Sequence, residues 1–216
     1  MDDLMKALIK RPDLHRIVQN LQAQLEDENR LRQRFYDAIT EGDKVEFING
    51  EIIKQLPVRM EHAECSARLV SLLLYYTMIN GIGNLYLGQL MIELSRNSYQ
   101  PDIIYFDKEK SKGFHQEQML FPAPDFIVEI LSPSTEKNDR GIKFEDYALH
   151  GVAEYWIVDP AKKSIEQYLL HQGKYQLEFK GKNGIITSKA IKGFTVNAKA
   201  VFNKAENIKA LQELIA

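Results

Sequence analysis

Four side chains carry the chemical interest of this sequence: Asp102, Glu129, Lys143 and His62. Asp102 follows Pro101 and opens the apolar run Ile103-Ile104-Tyr105-Phe106. Glu129 interrupts a second run, Phe126-Ile127-Val128 and Ile130-Leu131, which follows its own Pro-Asp pair, Pro124-Asp125. Near-continuous apolar runs rich in β-branched and aromatic residues read as strands buried on both faces. An acid inside such a strand is costly to bury unless a positive group sits beside it. Two strand acids and a lysine suit phosphodiester hydrolysis, where a water must lose a proton and charge on the phosphate oxygens must be offset. Mg²⁺, with Mn²⁺ as the substitute, prefers hard oxygen ligands and needs only one or two carboxylates besides water and substrate. Asp102 and Glu129 are the expected metal ligands, with a backbone carbonyl at Ile130 as a third. Lys143 could orient the attacking water or hold a phosphate oxygen. Read from the residues alone, a strand glutamate paired with an arginine fits as well, and Asp125 reads as a plain turn-to-strand opening.

These residues need elements to hold them. After the second strand a helix is expected, capped by Asn138 or Asp139 and ended by Gly151, on which Lys143 and Tyr147 lie one turn apart on one face. A third strand, Tyr155-Trp156-Ile157-Val158, stops at Asp159-Pro160. Upstream, Met60 to Asn80 reads as a helix with Cys65, Leu69, Leu72, Leu73 and Tyr76 as its apolar stripe and Gly81 as its end. His62 projects from the Leu69 face, either at the edge of the core or beside the site. Glu61 and Glu64 read as exposed, and His62 with Cys65 is too few partners for a zinc site. Lys44 to Gln55 reads as a hairpin about Asn49-Gly50, with Glu46 and Glu51 expected in solvent. Leu85 to Leu94 gives one or two strands with a bend at Gly88. The polar stretch Lys108 to Ala123 is placed near the open end of the two Pro-Asp strands, as a cover for substrate or as a connection.

Residues 1–43 form a charged helical extension, with Leu14, Ile17, Val18, Leu21 and Leu25 in one stripe and Leu31, Phe35 and Ala38 in another, out of phase with it. It packs on the body or serves as a dimerisation arm. Residues 44–216 form the main domain. Past Pro160 the chain alternates as a β-meander, with lysines at 174, 180, 182, 189 and 192 that read as edge guards, or less simply as a phosphate-contacting flank. Ala205 to Ile215 closes as a short helix.

The 216 residues are 44% hydrophobic, enough for one sizeable core with an appended element. A formal net charge of −2 excludes a global positive field, so any nucleic-acid contact must be local. The lone Cys65 excludes an internal disulfide framework and fits a reducing compartment. The start lacks a signal peptide's apolar core, and no stretch reaches the length of a membrane span. A cytoplasmic location is the expectation.

The segments QPD, APDFIVEILSPST and NDRGIKFEDYALHGVAEYWIVDP, with the INGEII hairpin and the EHAE helix start, closely resemble the Uma-two family of putative restriction endonucleases, in the PD-(D/E)XK nuclease superfamily. The resemblance covers about Lys44 to Leu170. It implies an α/β fold of the mixed-sheet kind, a restriction-endonuclease-like αβββαβ core with an N-terminal helical extension and a C-terminal β-meander. It also implies a metal-dependent endonuclease acting on DNA. Asp102 matches the first motif's Asp and Glu129 the second motif's acid. Leu131 stands where the superfamily pattern has lysine, and Lys143 on the next helix is the matching position. His62 matches a histidine frequent at the family's helix start. Gln100, Ser132 and Tyr147 fall at family positions that read as support. Two alternatives remain: a catalytically silent nucleic-acid-binding or assembly module on the same fold, or an RNase or other phosphodiesterase. Duplex cutters often work as pairs, which makes a homodimer a candidate assembly.

Overall fold

The computed structural model describes residues 3–215, so Asp2, where the charged helical stretch begins, lies outside the described residues. In chain order the elements are helices α1 (Asp3–Ile9) and α2 (Leu14–Ala38), strands β1 (Val45–Ile48) and β2 (Glu51–Lys54), helix α3 (Met60–Asn80), and strands β3 (Gly83–Leu87), β4 (Met91–Glu93), β5 (Ser98–Tyr99) and β6 (Ile103–Asp107). Helix α4 (Lys108–Ser111), β7 (Leu120–Phe121) and β8 (Phe126–Ile130) follow, then helices α5 (Glu136–Asp139) and α6 (Ile142–Leu149) and strand β9 (Glu154–Asp159). The chain closes with β10 (Ser164–His171), β11 (Lys174–Gly181), β12 (Ile185–Thr187), β13 (Thr195–Asn197), α7 (Lys199–Phe202) and α8 (Lys204–Ile215).

Six strands form the main sheet in the order β11-β10-β9-β8-β6-β3. The pairs β3–β6 and β6–β8 are antiparallel, β8–β9 is parallel, and β9–β10–β11 are antiparallel. The run α3, β3, β6, β8, α6, β9 is therefore the expected αβββαβ order in a mixed sheet. Both predicted central strands are buried along nearly their whole length because both faces are covered. Period-two alternation sends Ile103, Tyr105, Phe126, Val128 and Ile130 into one apolar cluster with Leu69, Leu72 and Leu73 of α3. Ile104, Phe106, Ile127 and Leu131 join a second cluster with Tyr147 of α6. Glu129 shares the alternation of Ile127 and Leu131, so it points toward α6.

A second, five-stranded sheet, β2-β1-β5-β4-β7, was not legible beyond its hairpin. The Asn49-Gly50 turn has φ of 51° and 86°, the two positive values a tight two-residue hairpin requires. Leu85 to Leu94 divides into β3 in the large sheet and β4 in the small one, and Gly88 stands between them with φ of 30°. The amide of Gly88 donates to the carbonyl of Asp102 at 3.0 Å.

Lys108 to Ala123 begins at the far end of β6 from Asp102, and its middle, Gln116 to Met119, lines a cavity with Asp43, Gln89 and Gln100. It leaves β6 at Asp107, whereas Asp102 stands at the other end of that strand, roughly 15 Å away at a strand's rise per residue. Phe114 and Phe121 pack on Phe106, and Lys110 pairs with Asp125 at 2.7 Å. Because β6 and β8 are antiparallel, the two Pro-Asp pairs mark opposite ends of the sheet. Asp125 accepts from the amide of Asp107 and serves as the strand opening.

The helix expected from a cap at Asn138 or Asp139 starts later, at Ile142, and a short helix precedes it. Glu136–Asp139 and Ile142–Leu149 are separated by Arg140 and Gly141, so Asp139 ends one rather than capping the next. That frees its carboxylate to turn inward. On α2, Phe35 packs with Val45, Phe47 and Met91, and Glu28 holds the Arg96 guanidinium through two bonds of 2.7 and 2.9 Å. Val18, Leu21, Leu25 and Leu31 are exposed. No described helix is long and apolar enough to cross a membrane.

Candidate active site

Asp102 immediately precedes β6, beside the end of β8. Its Oδ2 accepts the Ile130 amide at 2.9 Å and lies 3.2 Å from His62 Nε2 on the first turn of α3. Its Oδ1 lies 3.3 Å from Lys44 Nζ. Burial raises the carboxyl's proton affinity, but His62, Lys44 and the Ile130 amide outweigh it and hold Asp102 below the ordinary aspartate range. His62 Nδ1 is buried without a hydrogen-bond partner.

Glu129 is reached from α6. Both the Lys143 ammonium, at 3.0 Å, and the Tyr147 hydroxyl, at 2.9 Å, donate to Oε1. The helical spacing of Lys143 and Tyr147 thus delivers two donors to one oxygen and leaves Oε2 for another partner. Burial pushes Glu129 well above the usual carboxylate range; Lys143 pulls it back, while Asp139, Asp102 and Glu46 push it further up.

Lys143 is held by more than Glu129. Its ammonium also lies 2.8 Å from Glu46 and 3.2 Å from Asp139, with the Tyr99 ring centroid at 5.8 Å. Burial disfavours its charge, yet the three carboxylates hold its proton affinity well above the ordinary lysine range. Asp139 is itself raised, first by burial, and neither of its oxygens completes a hydrogen bond.

Glu46 corrects the sequence reading, which left it in solvent. All four residues of β1 are buried: Val45 and Phe47 against α2, Ile48 and Glu46 toward the main sheet. A strand covered on both sides has no solvent face for its acid. The amide of Gln100 donates to Glu46 at 3.0 Å, and the Gln100 side chain accepts from the Val45 amide at 2.8 Å, so Gln100 locks this strand in place. Glu51, on the second strand of the hairpin, is exposed as expected.

Asp102, Glu129, Ile130, Lys143 and His62 line one small cavity, together with Lys44, Ser132 and Thr135. Gln55, Leu56 and Val58, between β2 and α3, also line it. All the sequence-identified candidates therefore meet. Glu46, Asp139 and Lys44 were missed; only the i, i+4 spacing of Asp139 and Lys143 offered a signal for any of them.

Uma2, described as "Putative restriction endonuclease", matches residues 25–199. The chain belongs to the Uma2 family. The match extends past Lys44–Leu170 at both ends, taking in the second half of α2 and the strands through β13. No curated protein matches. Among solved structures, a putative nuclease belonging to DUF820 from Anabaena variabilis ATCC 29413 superposes with a TM-score of 0.67 at 20% identity, over 82% of this chain and 96% of that one. At that identity the likeness speaks for the fold, and Uma2 membership speaks for a nuclease acting on nucleic acid.

The residues suit a hard divalent cation. Four acids, Glu46, Asp102, Glu129 and Asp139, face two ammonium groups, Lys44 and Lys143, so the acids outnumber the amines by two. Among the described residues no three His, Cys, Asp or Glu side chains group so as to hold a metal ion by themselves. Mg²⁺ fits such a half-built site because it keeps several waters and shares substrate oxygens.

Proposed function

We propose that this chain is a Mg²⁺-dependent endonuclease that hydrolyses phosphodiester bonds in DNA. The observation that carries the reading is the convergence of Asp102 and Glu129, from paired strands, on one cavity that also receives Lys143 and His62. Asp102, Glu129 and the Ile130 carbonyl would hold the cation, and Mn²⁺ would serve in place of Mg²⁺. Bound there, the cation would offset charge on the non-bridging oxygens, favour loss of a proton from the attacking water and stabilise the leaving oxygen.

The chain's own residues supply the positioning. His62 and the Ile130 amide fix the rotamer of Asp102 through Oδ2. Lys143 and Tyr147 fix Glu129 through Oε1 and so set where a water beside it can stand. A duplex has two strands to cut, and the open stripe Val18, Leu21 and Leu25 on α2 offers a face for a second copy.

The test is cleavage of supercoiled plasmid, linear duplex, single-stranded DNA and RNA, with Mg²⁺, Mn²⁺ or chelator. The wild type should cut DNA only with a divalent cation, and Asp102→Ala and Glu129→Ala should each lose cutting and cation binding. Equal cutting by all three proteins would overturn the assignment.

A further inference from the structure

We infer that Lys44 is the residue that grips the substrate phosphate, an inference that rests on the nuclease reading above. A phosphate entering the cavity needs a positive group that can turn toward it. Lys143 cannot be spared, because its side chain is 1% exposed and its ammonium already faces carboxylates at 2.8, 3.0 and 3.2 Å. His62 is committed through Nε2 to Asp102. Lys44 differs on each count. A third of its side chain is exposed, and its single carboxylate contact, to Asp102 Oδ1, is long at 3.3 Å. That oxygen is also the one His62 and the Ile130 amide leave unused, so a cation taken up by Asp102 competes directly with Lys44 for it.

The backbone at Lys44 is fixed, while the side chain is held only by its one long contact to Asp102. Its carbonyl accepts the Gln55 amide at 2.9 Å, and Val45 beyond it is buried. A long flexible stem on a fixed base lets an ammonium move from a carboxylate to a nearby phosphate at small cost. The two lysines divide the work: Lys143 holds the acids in place, and Lys44 meets the substrate.

The test is DNA binding without cleavage. A fluorescent duplex with phosphorothioate linkages is titrated in Ca²⁺ buffer between 50 and 200 mM salt, against wild type, Lys44→Gln and Lys44→Arg. Losing one phosphate contact should weaken Lys44→Gln binding about tenfold and lower the salt slope by about one, and Lys44→Arg should keep the slope. A lysine serving only as counter-ion to Asp102 would change thermal stability and leave the slope alone. A second readout uses unsubstituted protein carrying ¹⁵N-labelled lysine: the Lys44 signal should shift on adding duplex and that of Lys143 should stay. Wild-type slope in Lys44→Gln, or an unmoved Lys44 signal in protein that binds duplex, would overturn this inference alone. No binding of duplex by wild type would overturn the nuclease reading and this inference with it.

Discussion

Lys143 lies closer to Glu46, at 2.8 Å, than to Glu129, at 3.0 Å. A residue of the N-terminal hairpin is thus as much a partner of the buried lysine as the strand acid. The site is assembled from the β1 hairpin, the paired central strands β6 and β8, and the α5–α6 segment together, with one ammonium at their junction.

That junction makes the lysine structural first. In Lys143→Met, Glu46, Glu129 and Asp139 would be left buried without a counter-charge. Breaking a buried ion pair by removing one partner costs about 3–5 kcal/mol. For a chain of this length the midpoint of thermal unfolding should fall by roughly 6–20 °C. Differential scanning calorimetry checks it; a shift of a degree or less would show that the three acids are protonated together.

Removing an acid should act in the opposite sense. Glu129→Gln keeps an oxygen for Lys143 and Tyr147 and removes one ionisable acid from a site where acids outnumber ammonium groups. Its midpoint should stay level or rise, by about 2–4 °C for each kcal/mol of repulsion relieved. DNA cutting should be lost in the same variant. A large drop in stability would mean that ionised Glu129 holds the fold together.

Cation uptake should release a proton. Burial first, then Asp139, Asp102 and Glu46, raise the proton affinity of Glu129, and a bound cation, which needs the ionised carboxylate, works against them. Cation affinity and cutting should therefore climb with pH through a range above the ordinary glutamate value of about 4.3. Stability should follow the opposite course: a carboxyl with a raised folded-state proton affinity loses stabilisation as pH rises from the ordinary value to its own. Asp102, held low, contributes stability above the ordinary aspartate value that disappears as pH falls through its own. Calorimetric titration with Mn²⁺ in two buffers of different ionisation enthalpy measures the released proton; identical heats in both would exclude it.

The parts legible in the sequence were those where one local signal sufficed. Glu129 stood out because a charge inside an apolar strand demands a partner, and Lys143 and Tyr147 because a helical turn puts them together. Asn49-Gly50 located the hairpin for a backbone reason, and the apolar stripe of α3 located its packed face. Glu46 was hidden because nothing in a four-residue alternation tells that both faces of β1 are covered. Asp139 was hidden because an acid before a helix reads as a cap until Gly141 is seen to break the segment in two. Lys44 lies outside both strands of its hairpin, and only the fold of the chain brings it to Asp102. Strands β4, β5 and β7, of two or three residues each, are too short to leave a period.

The arithmetic of three acids around one ammonium ties distant codons to one another. Replacing the lysine by a neutral side chain is tolerable only where acids at positions 46, 129 or 139 have already gone, since each surviving carboxylate would otherwise be stranded away from water. Relatives that have abandoned the lysine should therefore be missing acids as well, and the order of loss should run acids first.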